Sequence, residues 1–396
     1  MDIPSRLVAP MSTAHAANRL SRGATSQPGE SLHVLRGHGF SRALPGATFK
    51  SALAAEGWPS GVVRSESTSA SPIRFVASQD AVIAEGASSS LAVLLLGPTG
   101  SGKTALSLAL AERFHGEIIS CDSVAVYRGM DLGTAKPTLA ERARIPHHLI
   151  DIADPDQPFT AGDYSRQARA ALRDIAARNK LPIVTGGTGL YLRALTEGLF
   201  AGPKRREDLR NRIRRSAERH GSPWLHRLLV RLDSASAARI HANDTPKLIR
   251  ALEVCIASGK PMSAVLDDEQ KNRDPLTGFR LLRIGLNPPR AELYARLNQR
   301  CAEMFAAGLI AETRTLLACY GPVKALESLG YRQAQSVLLK GVSQKTAIAE
   351  AQQGHRNYAK RQLTWFRREP HVHWIQAFGN DPDTQRTACD LVQAHR

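Results

Sequence analysis

One eight-residue segment is clearly suited to chemistry. Its sequence matches the phosphate-binding pattern G-x-x-x-x-G-K-[ST]. In this pattern the glycines let successive backbone N–H groups point at phosphate oxygens, and the following helix adds its positive N-terminal end. The last two residues add a cation for a phosphate and a hydroxyl for Mg²⁺. The segment therefore predicts a site for a phosphate compound and consists of Gly97, Pro98, Thr99, Gly100, Ser101, Gly102, Lys103 and Thr104.

Two further polar groups follow short apolar runs that read as strands. Asp122 and Ser123 come directly after the run at 117–121, and Thr188 follows the run at 181–185. Because parallel α/β proteins place their ligands at the carboxyl edge of the sheet, these side chains are expected beside the phosphate loop. Asp122 could act there as a general base or a metal ligand, or only cap a helix. Thr188 could face the same site or only cap the next helix.

The elements that would position these groups alternate between strands and helices. A buried strand at 91–96 precedes the phosphate loop, and a helix follows it to Phe114. Thr160 and Asp163 have the spacing of a capping box before another helix. A later strand is expected at 280–286, with long amphipathic helices at 291–307 and 346–368. This order predicts an α/β fold with a P-loop NTPase-like parallel sheet core.

Changes in composition divide the chain into five segments. Residues 1–88 are rich in Ser, Ala, Gly and Arg and read as a disordered extension. The core is expected at 89–198 and again at 279–378, interrupted by an arginine-dense helical insertion at 199–278. Residues 379–396 are expected to form a C-terminal tail.

The bulk properties restrict the class of protein. A net charge of +17 and a pI near 10.1 favour a polyanionic partner, most commonly nucleic acid. The longest apolar run is too short to span a bilayer, so no membrane association is expected. Five scattered cysteines without a C-x-x-C pair fit a reducing compartment. A bacterial cytoplasm is expected, although the basic first fifty residues also resemble an organelle transit peptide.

Taken together, the motifs resemble one family, the tRNA dimethylallyltransferases or tRNA isopentenyltransferases. The resemblance covers about residues 91–375 and follows the family order of motifs. After the phosphate loop and Asp122-Ser123 come Val-Tyr-Arg-Gly-Met-Asp-Leu-Gly-Thr-Ala-Lys-Pro at 126–137, His-His-Leu-Ile-Asp at 147–151, Gly-Gly-Thr-Gly-Leu-Tyr at 186–191, Arg-Ala-Leu-Glu-Val at 250–254, Gly-Tyr-Arg-Gln at 330–333, Tyr-Ala-Lys-Arg-Gln at 358–362 and Thr-Trp-Phe at 364–366.

The resemblance implies a reaction and roles for three catalytic residues. The loop would bind the diphosphate of dimethylallyl diphosphate, with Mg²⁺ as cofactor on Thr104. Asp122 matches the general base that takes a proton from the exocyclic amine of adenine, and Thr104 and Arg300 match positions that contact the diphosphate. An aromatic amine is a poor nucleophile, so a positioned carboxylate is chemically sensible.

The resemblance also implies that the partner is the anticodon stem-loop of tRNA, and a monomer is expected. The target adenine must leave its stack before it can react. The sequence departs from the family at Val124-Ala125, where a polar pair is frequent, and at Lys247, where arginine is more usual. The positions implied to contact tRNA are Asp122, Ser123, Val124, Ala125, Thr188, Arg210, Pro246, Lys247, Leu248, Ile249, Arg250, Gly330, Tyr331, Arg332, Lys360, Arg361 and Gln362.

Three other functions use the same features. A small-molecule kinase would bind ATP in the phosphate loop with Asp122 on the metal. An adenylate isopentenyltransferase would prenylate a free adenine nucleotide, although the basic insertion favours tRNA. A basic RNA-binding module without catalysis would leave the phosphate loop unexplained.

Overall fold

The sheet at the centre of the protein has six strands, all parallel, in the order β3-β2-β4-β1-β5-β6. A computed structural model describes residues 89–199, 202–203, 205–270 and 274–396, so the expected extension at 1–88 lies outside the described residues. The strands are β1 (Ser90–Leu96), β2 (Gly116–Cys121), β3 (His147–His148), β4 (Leu181–Gly186), β5 (Phe279–Leu286) and β6 (Val372–Ile375). The predicted parallel α/β core is confirmed.

The central strand β1 is buried on both faces. Val93 and Leu95 belong to one apolar cluster and Leu94 belongs to another, because successive side chains of a strand point to opposite sides. In the register, Val93 lies between Ile183 of β4 and Leu282 of β5. The phosphate loop therefore leaves the sheet at a central strand that is packed on both faces, which gives the loop a rigid base.

Helices cover both faces of the sheet. Thr160 caps its helix by the expected box with Asp163. In the described residues before β5, the core helices are α1 (Lys103–Phe114), α2 (Leu139–Arg144), α3 (Ala161–Ala177) and α4 (Gly189–Thr196); after β5 come α10 (Arg290–Ala306), α11 (Leu309–Tyr320), α12 (Tyr331–Lys340), α13 (Gln344–Phe366) and α14 (Pro382–His395).

Five helices between α4 and β5 pack around a core of their own. They are α5 (Glu207–His220), α6 (Ser222–Leu232), α7 (Ser234–Arg239), α8 (Thr245–Ser258) and α9 (Met262–Gln270). Their apolar stripes meet at Ile213, Leu225 and Leu252, which are fully buried. Polar residues, including many arginines, occupy the remaining surface.

The C-terminal residues differ from the expected tail. They form α14, whose Ala388 and Val392 are fully buried against the same face of the sheet as α1. Only a narrow stripe of this helix is apolar, so the sequence pattern was weak. The strands β3 and β6 were also not predicted, because two and four residues are too few for a clear alternation. No helix in the described ranges is long and apolar enough to cross a bilayer.

The packing of α14 yields a test of stability. Val392→Ala removes two methyl groups from a fully buried site and should lower the free energy of unfolding by about 2 kcal/mol. Urea denaturation measures this loss. Val230→Ala, at a valine that is 46% exposed, is the matched control. Equal stability of the two variants would contradict the packing of the C-terminal helix into the core.

Candidate active site

The phosphate loop connects β1 to α1 with its glycines in backbone conformations that other residues rarely adopt. Gly100 and Gly102 have φ angles of 81° and 89°. A Cβ at Gly102 would also lie 2.7 Å from the backbone nitrogen of Gly379, which packs under the loop. The amides of Gly102, Lys103 and Thr104 make no hydrogen bond with the described protein groups. They are therefore free to donate to an anion at the start of α1.

Lys103 lies inside the curve of the loop. Its Nζ donates to the carbonyl oxygens of Gly97 at 2.9 Å and Pro98 at 2.8 Å. Burial lowers the pKa of this ammonium to about 8, opposed by the Asp122 carboxylate and reinforced by the Arg300 guanidinium. The lysine is thus held where a phosphate would sit, with a charge that depends on pH near neutrality.

The Asp122 carboxylate is fixed by the turn that follows β2. Its Oδ1 accepts hydrogen bonds from the amides of Val124 at 2.8 Å and Ala125 at 3.1 Å. No group in the described chain donates to Oδ2. Asp122 lines the same cavity as Lys103 and Thr104. One oxygen is therefore used for positioning, and the other remains available to a ligand.

Thr188 connects the loops that follow β2 and β4. Its Oγ1 accepts from the amide of Ser123 at 3.1 Å, and its own amide donates to the Cys121 carbonyl oxygen at 3.1 Å. It makes no side-chain cap bond to α4, although it occupies the N-cap position. Thr188 therefore holds Ser123 and the Asp122 turn against the end of β4.

Gln362 of α13 fastens the phosphate loop to the sheet edge. Its Oε1 accepts from the Thr99 amide at 2.8 Å, and its Nε2 donates to the Gly187 carbonyl oxygen at 2.9 Å. The side chain is 5% exposed, and a Cβ at Gly187 would lie 2.0 Å from Nε2. Gln362 also lines the cavity, so it joins the phosphate loop to the end of β4 at the wall of the site.

Two arginines on α10 face the loop. Arg300 Nη1 lies 3.5 Å from the Thr99 hydroxyl, and burial lowers the pKa of its guanidinium. Arg296 lines the same cavity and was not predicted. The spacing of four residues on one helix face is the signal that could have identified it.

These residues surround a cavity of about 430 Å³ at the carboxyl edge of the sheet. Its size is typical of a small-molecule site. His147, Lys136 and Tyr358 also line the cavity; all three belong to quoted motifs, but none was predicted as a site residue. Predicted residues that line the cavity are Thr99, Gly100, Gly102, Lys103, Thr104, Asp122, Ala125, Arg300 and Gln362.

The two neighbouring histidines have separate partners. His147 Nδ1 donates to the Ile145 carbonyl oxygen at 2.8 Å, and His148 Nε2 lies 2.8 Å from Oε2 of the buried Glu117. Burial lowers the pKa of His147, which favours a neutral ring with its unpaired Nε2 as an acceptor. In the described residues no group of three His, Cys, Asp or Glu side chains could hold a metal ion.

Several side chains expected to contact tRNA are instead structural. Leu248 and Ile249 are 0% and 8% exposed in the core of α5–α9, so their side chains cannot reach RNA. Tyr331 is also fully buried, and its hydroxyl accepts from the Gly133 amide and donates to Glu312. By contrast, five of the implied tRNA contacts are exposed: Pro246, Lys247, Arg332, Lys360 and Arg361.

Arg210 and Arg250 are organised by one buried carboxylate. Glu253 is 0% exposed and accepts from Arg210 Nε at 3.0 Å, Arg250 Nη1 at 2.8 Å and the Arg206 amide at 2.8 Å. Burial alone would raise the pKa of Glu253, but these hydrogen bonds hold it below its ordinary value. The carboxylate therefore stays charged and fixes both guanidinium groups in place.

The lowered pKa of Lys103 predicts a pH effect on anion binding. As the pH rises through about 8, the ammonium loses its proton, and the affinity for inorganic pyrophosphate should fall relative to Lys103→Met. Calorimetric titration across this pH range measures the pyrophosphate affinity of the wild-type protein and of Lys103→Met. Because the ionisation of pyrophosphate affects both proteins equally, the difference between their affinities reports on Lys103. Identical pH profiles would show that Lys103 does not touch the anion.

Known proteins share this arrangement of motifs and fold. Residues 125–369 match the family model described as IPP transferase. The tRNA dimethylallyltransferase of Koribacter versatilis is 61% identical over 76% of this chain and 98% of its own length, and that of Solibacter usitatus is 54% identical over 76% and 97%.

Solved structures agree with these relatives. The tRNA isopentenylpyrophosphate transferase of Bacillus halodurans superposes with a TM-score of 0.57 at 36% identity, covering 77% of this chain and 96% of that one. A eukaryotic dimethylallyltransferase described as acting on tRNA gives a TM-score of 0.63 at 25% identity, covering 77% and 78%. The chain therefore belongs to the tRNA dimethylallyltransferase family.

Proposed function

We propose that this protein transfers the dimethylallyl group of dimethylallyl diphosphate to the exocyclic amine of the adenosine 3′-adjacent to the anticodon in tRNA, with release of diphosphate. The observation that carries the proposal is the single cavity that joins the phosphate loop to Asp122. A donor held by its diphosphate and an acceptor held by its amine would meet there.

The diphosphate is bound by donors at one end of the cavity. The free amides at the start of α1 and the ammonium of Lys103 face this end, and Arg300 approaches it from α10. Negative charge grows on the diphosphate as the allylic C–O bond breaks, so fixed positive groups stabilise the transition state more than the substrate.

The residues present also fit a Mg²⁺ ion. Thr104 lines the cavity and would supply a hydroxyl oxygen to the ion. Mg²⁺ often takes only one or two protein ligands and completes its shell with water and phosphate oxygens. When bound there, it supplies charge neutralisation to the departing diphosphate.

Asp122 acts as the general base. As the adenine amine nitrogen forms its bond to the allylic carbon, the electron pair of the C–O bond leaves with the diphosphate. The amine must also lose a proton, and Oδ2 of Asp122 accepts it, since Oδ1 is occupied by the Val124 and Ala125 amides. The fixed turn aims this oxygen without reorganisation during the reaction.

Exposed cations support an RNA acceptor. Lys360 and Arg361 lie on the outer face of α13, and Arg332 is exposed at the start of α12. Arg210 and Arg250 present oriented guanidinium groups on α5 and α8. Such groups contact phosphates and leave the base to be unstacked into the cavity. The site is built from one chain, so a monomer suffices, and the reaction would take place in the bacterial cytoplasm.

Replacing the base should remove catalysis and spare binding. Asp122→Asn keeps an acceptor for the Val124 and Ala125 amides but cannot take a proton, so kcat should fall by about a hundredfold or more. Transfer from labelled dimethylallyl diphosphate to an unmodified tRNA measures kcat, and filter binding measures the tRNA affinity.

Asp156→Asn, at an exposed aspartate, is the matched control and should retain full activity. Near wild-type kcat in Asp122→Asn would exclude Asp122 as the base. Turnover with AMP but not with tRNA would instead identify an adenylate isopentenyltransferase.

Arg210 tests the insertion as an RNA surface. Arg210→Ala should weaken tRNA binding by about tenfold and reduce the salt slope by about one unit, because one phosphate contact is lost. Arg210→Lys keeps the charge and should restore most of the salt slope. Titrations at several salt concentrations measure both quantities, and an unchanged slope in the alanine variant would remove Arg210 from the interface.

A further inference from the structure

A second cavity lies at the carboxyl ends of β5 and β6, beside the outer face of α13. Its volume is about 380 Å³, and it shares none of its lining residues with the cavity that contains Asp122. We call it the edge cavity. It is lined by Asn287, Pro288, Pro289, Arg290, Leu293, Tyr294, Ala359, Lys360, Leu363, Thr364, Arg367 and Gln376.

The lining of the edge cavity is positive. Arg290, Lys360 and Arg367 are exposed at its rim, and none of the lining residues is acidic. No ion pair joins these three cations to an acidic group in the described chain. Three unpaired cations around one cavity favour an anionic ligand.

The interior of the edge cavity combines apolar and amide groups. Leu293 is 1% exposed and forms part of the floor with Leu363. The Tyr294 ring lies at the side, with the Arg290 guanidinium 5.0 Å from its centroid. Nδ2 of Asn287 donates to Oε1 of Gln376 at 2.6 Å, which leaves the Asn287 oxygen and the Gln376 amide hydrogens available. Apolar, stacking and amide groups together suit a nucleobase.

The edge cavity is continuous with the basic surface of α13. Lys360 and Thr364 line it and also line a neighbouring open groove with Arg361, Trp365 and Arg368. Lys360 and Arg361 are among the residues proposed to contact tRNA. An RNA strand that follows this surface would therefore pass the mouth of the edge cavity.

We propose that the edge cavity holds an unpaired nucleotide of the bound tRNA other than the adenosine that is prenylated. Its base would lie between Leu293, Leu363 and the Tyr294–Arg290 pair, and its flanking phosphates would contact Lys360 and Arg367. This inference rests on the proposed function, because it requires tRNA on the surface of α13. The edge cavity would give the enzyme a second contact with the anticodon loop, which must open to expose the adenosine that is prenylated.

The double variant Arg290→Ala/Arg367→Ala tests the proposal without disturbing the fold, since both side chains are exposed. The tRNA affinity should fall by about tenfold, and the salt slope should fall by about 0.7, the value for the one single-strand phosphate contact that Arg367 makes. KM for dimethylallyl diphosphate should stay unchanged because the edge cavity is separate from the phosphate loop.

The matched control is Arg173→Ala/Arg314→Ala, which removes the same charge from exposed arginines on α3 and α11. If both double variants bind tRNA equally, the edge cavity does not hold RNA. If the wild-type protein does not prenylate tRNA at all, the proposed function fails instead, so the two failures are distinguishable.

Photocrosslinking locates the contact directly. With p-benzoylphenylalanine in place of Gln376, irradiation in the presence of tRNA should link the protein to one unpaired nucleotide that is not the target adenosine. The same replacement at Gln344, an exposed residue at the start of α13, should give no such product. Absence of a crosslink at Gln376 would overturn the proposal. So would loss of the crosslink at an AMP concentration too low to displace tRNA from the enzyme, because the edge cavity would then bind a free nucleotide instead.

Discussion

The two oxygens of the Asp122 carboxylate have different environments, and the proposed chemistry depends on that difference. Oδ1 is held by two amides of the turn after β2, whereas Oδ2 has no donor among the described residues; the residue lines the cavity. A carboxylate held by both oxygens would be a poor base, and one held by neither would be mobile. The turn thus supplies orientation without consuming the basic atom.

This placement requires the ends of three parallel strands to be held together. The phosphate loop follows β1, Asp122 follows β2 and Gly187 follows β4. The side-chain amide of Gln362 connects the phosphate loop to Gly187 through two hydrogen bonds. The amide is buried with both ends satisfied, so any displacement of α13 would leave polar groups unpaired. The helix α13, in the C-terminal part of the chain, therefore stabilises the positions of the loops that follow β1 and β4.

The same principle orients the cations of the insertion. Glu253 is fully buried yet charged, because Arg210, Arg250 and a backbone amide donate to it. A buried carboxylate that lost these donors would be costly, so the arrangement is strongly determined. Arginines that are already fixed lose less conformational entropy when they bind a phosphate.

Much of this architecture could be predicted from the sequence, and the exceptions have physical reasons. Local sequence patterns predict the phosphate loop, the parallel core and the polar groups at strand ends. These features depend mainly on residues that are close together in the chain. The pattern could not show that Leu248, Ile249 and Tyr331 are buried, because a motif match does not record which face of a helix is exposed. Nor could it show that Gln362 bonds Thr99, a contact between residues distant in the chain. The helix α14 was missed because small residues form its buried stripe.

The proposed function requires an adenosine of tRNA to receive the dimethylallyl group at the cavity that joins the phosphate loop to Asp122. Mass spectrometry of nucleosides tests it most directly, after unmodified tRNA has been incubated with the protein, Mg²⁺ and isotopically labelled dimethylallyl diphosphate. The expected product is labelled N6-dimethylallyladenosine, mapped by nuclease fragments to the position 3′-adjacent to the anticodon. Unmodified adenosine throughout the tRNA, in a sample whose protein binds both substrates, would contradict it.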